Sequence, residues 1–116
     1  MSWRVEFYEV ERGTSPVLDF LDELPPKAQA KLLRVLGLLE KHGPALQEPY
    51  VKRLSGWPGL LELRASVGSD AFRLFFFFAG QELAVVVHGM RKKSERTPAR
   101  DLGTADARRR AYLRRN

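Results

Sequence analysis

The chain has no cysteine and only two histidines, His42 and His88, in 116 residues. Without thiols it can build neither a disulfide framework nor a thiolate zinc site, and two distant histidines do not suggest a metal centre. Long apolar runs are missing as well. None approaches the roughly 20 residues of a membrane-spanning helix, and no charged-then-apolar leader opens the sequence. There is no internal repeat and no low-complexity linker. These absences lead to the expectation of a soluble cytoplasmic protein. The length suggests one domain over residues 1–116, enough chain to bury roughly two-thirds of its unfolded surface.

Positive charge is what the chain has in excess. Lys+Arg number 20 against 14 Asp+Glu, a formal net charge of +6 with pI ≈ 10.1. Such a surplus on a small chain is the footprint of a polyanion binder, usually nucleic acid, although charge by itself also serves solubility.

The apolar pattern sets out the elements. Trp3–Val10 alternates as a strand does. Ser15-Pro16 reads as an N-cap with proline at the first helical position, opening a short helix through Leu24. Pro25-Pro26 ends it and starts a second, in which Ala28, Leu32, Val35, Leu36 and Leu39 share a face and Gly43 is the stop. Lys27, Lys31 and Arg34 on its flank form either a solvated face or a phosphate-contacting stripe. Beyond Gly43-Pro44 the period changes to two, with strands at Val51–Leu54, Leu60–Ser66, Ala71–Ala79 and Leu83–Met90. Thr97-Pro98 repeats the cap-plus-proline signal and opens a basic helix to Leu113. The expected fold is α+β: an antiparallel sheet with the N-terminal helical hairpin packed on one face, and a C-terminal helix.

Hairpin arithmetic gives a register. If Val67–Asp70 is the first loop, Arg64 faces Arg73 and Glu62 faces Phe75. A Gly80-Gln81 turn, or a four-residue loop, then sets Phe78 against Leu83, Phe75 against Val86 and Arg73 against His88. One face collects Leu61, Leu63, Phe72, Leu74, Phe76, Val85 and Val87; the other collects Glu62, Arg64, Arg73, Phe75, Phe77 and His88. Facing arginines repel. Either Glu62 and Asp70 neutralise them, or the pair waits for a phosphate, which guanidinium forks bind bidentately. The stretch VVVHGMRKKSERTP (Val85–Pro98) would bring His88 to that face and Arg91, Lys92 and Lys93 to its rim. Phe75 and Phe77 would then either stack on bases or lie under the terminal helix. His88 is expected on the face of Arg64 and Arg73; a β-bulge before it would turn its side chain to the core and remove it from the site.

LDELP, a Leu-rich helix ending in HG, KRLSG, LLELR, FRLFFFF and VVVHGMRKKSERTP, in this order, resemble the phage-derived HigB-like branch of the RelE/ParE toxin superfamily over nearly the whole chain. The resemblance implies a toxin of a type II toxin–antitoxin system that acts as a ribosome-dependent mRNA endonuclease. Cleavage would use the RNA's own 2′-hydroxyl to attack the adjacent phosphate, independently of metal or other cofactor. The implied partners are an antitoxin with a helix-turn-helix domain, the ribosome and mRNA, with no membrane. On this reading Arg73 and Arg64 hold the phosphate, and Glu62 and His88 share the base and acid roles in either order. Lys92, Lys93 and Arg91 hold RNA backbone, and Phe75 stacks. Arg73→Ala is expected to remove activity and spare the fold. Tyr112 lies on the terminal helix and is no obvious counterpart of the catalytic tyrosine of RelE; Met90 stands where this branch carries an aromatic. Two other readings remain: a ParE-like gyrase inhibitor on the same fold, and a non-catalytic nucleic-acid-binding module. The arginine pair together with His88 favours the nuclease.

Overall fold

A computed structural model describes residues 2–93 and 96–115, so the stretch Val85–Pro98 is covered except for Ser94 and Glu95. In chain order the elements are β1 (Arg4–Phe7), α1 (Pro16–Asp22), α2 (Pro26–His42), a 3-10 turn (Gly43–Ala45), β2 (Val51–Arg53), β3 (Leu61–Val67), β4 (Asp70–Ala79), β5 (Leu83–Lys92) and α3 (Ala99–Arg115). The Ser15 hydroxyl accepts from the Leu18 N–H at 3.3 Å and caps α1, with Pro16 in the first turn. Helix α2 stops at Gly43 for two reasons: φ is +53°, and a Cβ there would run into the Trp3 indole.

The five strands form one sheet in the order β1-β5-β4-β3-β2. From β5 to β2 each strand pairs antiparallel with its neighbour, as expected, but β1 lies parallel to β5, with Arg4 opposite Leu83. The sheet is covered on both sides. Helices α1 and α2 pack on one face against Leu63, Phe72, Leu74, Phe76 and Val86. On the other, α3 packs through Leu102, Ala105 and Tyr112 against Phe75, Phe77, Val85 and Val87. Phe75, Phe76, Val85 and Val86 are consequently all fully buried, in continuous runs and not alternately.

The β3–β4 register is the expected one: Arg64 faces Arg73 and Glu62 faces Phe75. The β4–β5 register is not. The loop holds three residues, Gly80 to Glu82, so Ala79 and not Phe78 faces Leu83. That odd count reverses the parity of β5 and moves Val85 and Val87 to the α3 face, away from Leu63 and Leu74. The register then shifts between Phe75/Phe76, with Phe76 opposite Val86 and Phe75 opposite His88, so that Val87 is the extra residue of a β-bulge. The bulge reverses parity a second time. It therefore delivers His88 to the face of Phe75, the opposite of the effect expected of it, and Arg73 faces Met90 in place of His88.

Candidate functional site

On the α3 side of the sheet, beyond the packed aromatics, the strands bring charged residues together. Cross-strand pairing places Lys52 opposite Glu62, Arg64 opposite Arg73, and Lys92 opposite Ala71, two residues along from Arg73. Glu62 is 3% exposed and Arg73 is 7% exposed, so this is a buried ion pair in contact with a rim. Arg73 Nε lies 3.3 Å from Glu62 Oε1, and Arg64 Nε lies 3.9 Å from Glu62 Oε2. Thr97, just before α3, donates its hydroxyl to Glu62 Oε1 at 3.3 Å. Arg73 Nη1 donates to the Phe72 carbonyl at 2.9 Å, but among the described residues the buried Nε–H has no hydrogen-bond acceptor, its approach to Glu62 being a charge contact.

The electrostatics follow from that crowding. Burial lowers the Arg73 pKa, the Glu62 carboxylate opposes the shift, and Arg64 adds to it. Lys92 is also lowered, by burial first and then by the Arg73 charge; Glu62 works against this, while Arg64 and Lys52 add to it. Among the described residues, four cations thus gather about one carboxylate. Asp70, the other candidate neutraliser, is committed to Arg91 at 2.6 Å. This also removes Arg91 from the site: it faces Phe72, with its guanidinium 5.8 Å from that ring's centre, on the side of α1 and α2. Lys93 is exposed, immediately past β5.

His88 shares the face of Arg73 but belongs to a different cluster. Its ring stacks on Phe75 at 5.9 Å and 18°. Nε2 is 2.7 Å from Asp101 Oδ1, and Nδ1 is 3.3 Å from Arg108 Nη1, which also donates to the Val87 carbonyl at 2.9 Å. An arginine can only donate, so Nδ1 accepts and Nε2 carries the hydrogen given to Asp101. Both ring nitrogens are engaged by α3. Phe75 is 0% exposed beneath the same helix, so its ring offers no face to a base and the stacking expectation is corrected. Tyr112 is partly buried on α3, edge-on to Phe77 at 5.6 Å, and its pKa is raised by burial and then by Glu6.

The sequence did not single out Lys52, Thr97, Asp101 or Arg108 as site residues. Alternation within Val51–Arg53 puts Lys52 and Arg53 on opposite faces, but only the pairing with β3 says which one joins Glu62. The burial of Arg73 also revises the expectation for Arg73→Ala, because that change strands the Glu62 charge. Among the described residues there is no group of three or more His, Asp or Glu that could hold a metal ion, and no helix long and apolar enough to cross a membrane.

A five-stranded, mostly antiparallel sheet with helices before and after it is an α+β architecture compatible with a RelE-like fold, here carrying a cationic cluster at one end of a face. The family model described as phage derived protein Gp49-like (DUF891) matches residues 19–110, and the chain belongs to that family, part of the RelE/HigB toxin-like superfamily. Members of the family are commonly toxins of toxin–antitoxin pairs, which implies a cognate antitoxin as partner. No curated protein matches the chain.

Proposed function

We propose that the chain is a toxin that cuts messenger RNA on the ribosome without a metal, by attack of the RNA's 2′-hydroxyl on the adjacent phosphate. The observation that carries this reading is the Arg64–Arg73 pair, two facing cations offset among the described residues by Glu62 alone, with an Arg73 Nε–H that lacks an acceptor among them. A phosphodiester relieves the first condition, and the second once Glu62 turns to the substrate and opens the buried Nε–H. Its oxygens take guanidinium hydrogen bonds, and its charge balances the surplus. As O2′ bonds to phosphorus, negative charge grows on the phosphoryl oxygens. The Arg73 guanidinium, held by the Phe72 carbonyl beside Glu62, stabilises that charge.

Glu62 takes the proton of the 2′-hydroxyl after exchanging its Thr97 contact for the substrate. The P–O5′ bond breaks and the leaving oxygen takes a proton from Lys92, whose lowered pKa makes it a readier donor than an ordinary lysine. The products are a 2′,3′-cyclic phosphate and a 5′-hydroxyl. Lys52 and Lys93 hold the flanking backbone. We assign His88 to anchoring α3 and not to acid catalysis, since its Nε2–H is committed to Asp101. The test is a translation-coupled cleavage assay run beside a gyrase supercoiling assay. Cuts within translated codons, ending in 5′-hydroxyls, are expected; intact mRNA with inhibited supercoiling would instead support the ParE-like activity.

A further inference from the structure

Helix α3 has two sides of different character. Towards the sheet it turns Asp101, Leu102, Ala105, Arg108 and Tyr112. With 3.6 residues per turn, the side directly opposite holds Arg100, Gly103, Ala107, Arg110 and Arg114. Arg100, Ala107, Arg110 and Arg114 are exposed, and a Cβ at Gly103 would meet nothing within 4 Å. The helix carries six arginines against two aspartates, and so four of the six net positive charges of the chain. Neither aspartate lies on the outer stripe. Asp101 is held by His88, and Asp106 pairs with Arg109 and with Arg110, leaving the Arg110 side chain 61% exposed. Among the described residues Arg100 and Arg114 have no ion-pair partner.

We propose that this outer face of α3 is a second nucleic-acid site, one that docks on the backbone of double-helical RNA and is separate from the cluster that takes the cleaved strand. The inference rests on the RNA reading above and deepens it. Arginine recognises phosphate, and between the arginines stand only glycine and alanine, so the helix can lie close to a backbone. The stripe has no aromatic residue, which argues against a single strand, whose binders stack bases on aromatic rings. From Arg100 to Arg114 the helix rises roughly 21 Å at about 1.5 Å per residue, long enough to reach phosphates on both sides of the shallow A-form minor groove.

The test uses the full chain and the double variant Arg100→Glu/Arg114→Glu, whose altered side chains are exposed and unpaired, with thermal melting to verify the fold. The probes are an RNA duplex of about 16 base pairs, the span of a double-stranded-RNA domain, a short oligouridine, and poly-L-glutamate as an acidic-protein competitor. Duplex affinity is expected to fall at least about tenfold, and the salt slope by roughly 0.9 for each phosphate that is no longer neutralised. Oligouridine binding should hold, while Lys92→Ala should weaken oligouridine and spare the duplex. Unchanged duplex binding by the double variant, or equal loss of both RNAs, overturns the proposal. Preferential capture of poly-L-glutamate through the same arginines also overturns it and marks the face as a protein site. None of these measurements needs cleavage, so a chain that cuts no mRNA but loses duplex binding in the double variant separates the two readings.

Discussion

Burying Arg73 strips water from its guanidinium, and the protein replaces that water with the Phe72 carbonyl at 2.9 Å and the Glu62 carboxylate at 3.3 Å. Arg73→Ala leaves Glu62 buried with Arg64, at 3.9 Å, as its remaining ion pair among the described residues. Breaking a buried pair costs about 3–5 kcal/mol, and with Arg64 still present the lower end is expected, read from the urea midpoint. Loss of cleavage in that variant would therefore not isolate a chemical role. Arg73→Lys keeps the charge and removes the bidentate fork; it should unfold close to wild type while cleavage falls by about 10²–10³. Wild-type cleavage by Arg73→Lys would show that the fork is not used. Lys92 offers a second test. Its folded pKa lies below the ordinary 10.5, so between those values the unfolded chain binds more protons and stability rises with pH. Tyr112, raised above 10.0, acts the other way: the folded state keeps a proton that the unfolded state has lost, and stability falls above that pH. The difference between wild type and Lys92→Met isolates the lysine. It should favour the variant at neutral pH and shrink as pH climbs towards 10.5. A difference independent of pH would mean that Lys92 is not held at a depressed pKa.

At the scale of elements, the bulge at Val87 and the docking of α3 are one device. The bulge aims His88 at Asp101 and Arg108, and both helix residues close on its ring. Asp101→Ala should loosen the first turns of α3, so that amide exchange speeds up over residues 102–106 and changes little near Tyr112, which still packs on Phe77. Uniform loss of protection would mean that the helix docks as a single unit. How much of this was legible depends on burial. Arg64 opposite Arg73 could be read because their hairpin is local and its turn short. The β5 parity could not, since Phe75–Phe78 and Ala84–Val87 are apolar on both faces, and a strand covered on both sides carries no alternation to fix which residue points where. His88 reached the expected face only because the three-residue loop and the bulge cancel. The same unbroken apolar runs are what a sheet with helices on both faces produces, and that covering is what buries the Phe75 ring. Thr97 stayed hidden because Glu62, its neighbour in space, lies 35 residues away in the chain, and Lys52 because the irregular stretch 54–60 between β2 and β3 hides their pairing.

Over the whole molecule, the proposed function divides the charged residues between holding RNA and cutting it. It assigns Glu62 and Lys92 to proton transfer, and Arg73 together with half-buried Arg64 to the phosphate, while Lys93 stands exposed at the rim. Among the described residues nothing in that set grips a ribose, and on the proposed reading a messenger fixed on the ribosome supplies the in-line placement of the 2′-hydroxyl. Cleavage is therefore expected on translating mRNA and not on naked RNA of the same sequence. The same division predicts how variants fail. Lys93→Ala should raise the mRNA–ribosome concentration needed for half-maximal cutting and leave the single-turnover rate at saturation nearly intact, because a rim contact is made equally in ground and transition states. Arg73→Lys should lower the saturated rate with little change in that concentration, because its fork is matched to charge that appears only as the bond forms. Efficient cutting of naked RNA, with both variants failing in the same parameter, would place the orienting groups on this chain and take the ribosome out of the mechanism.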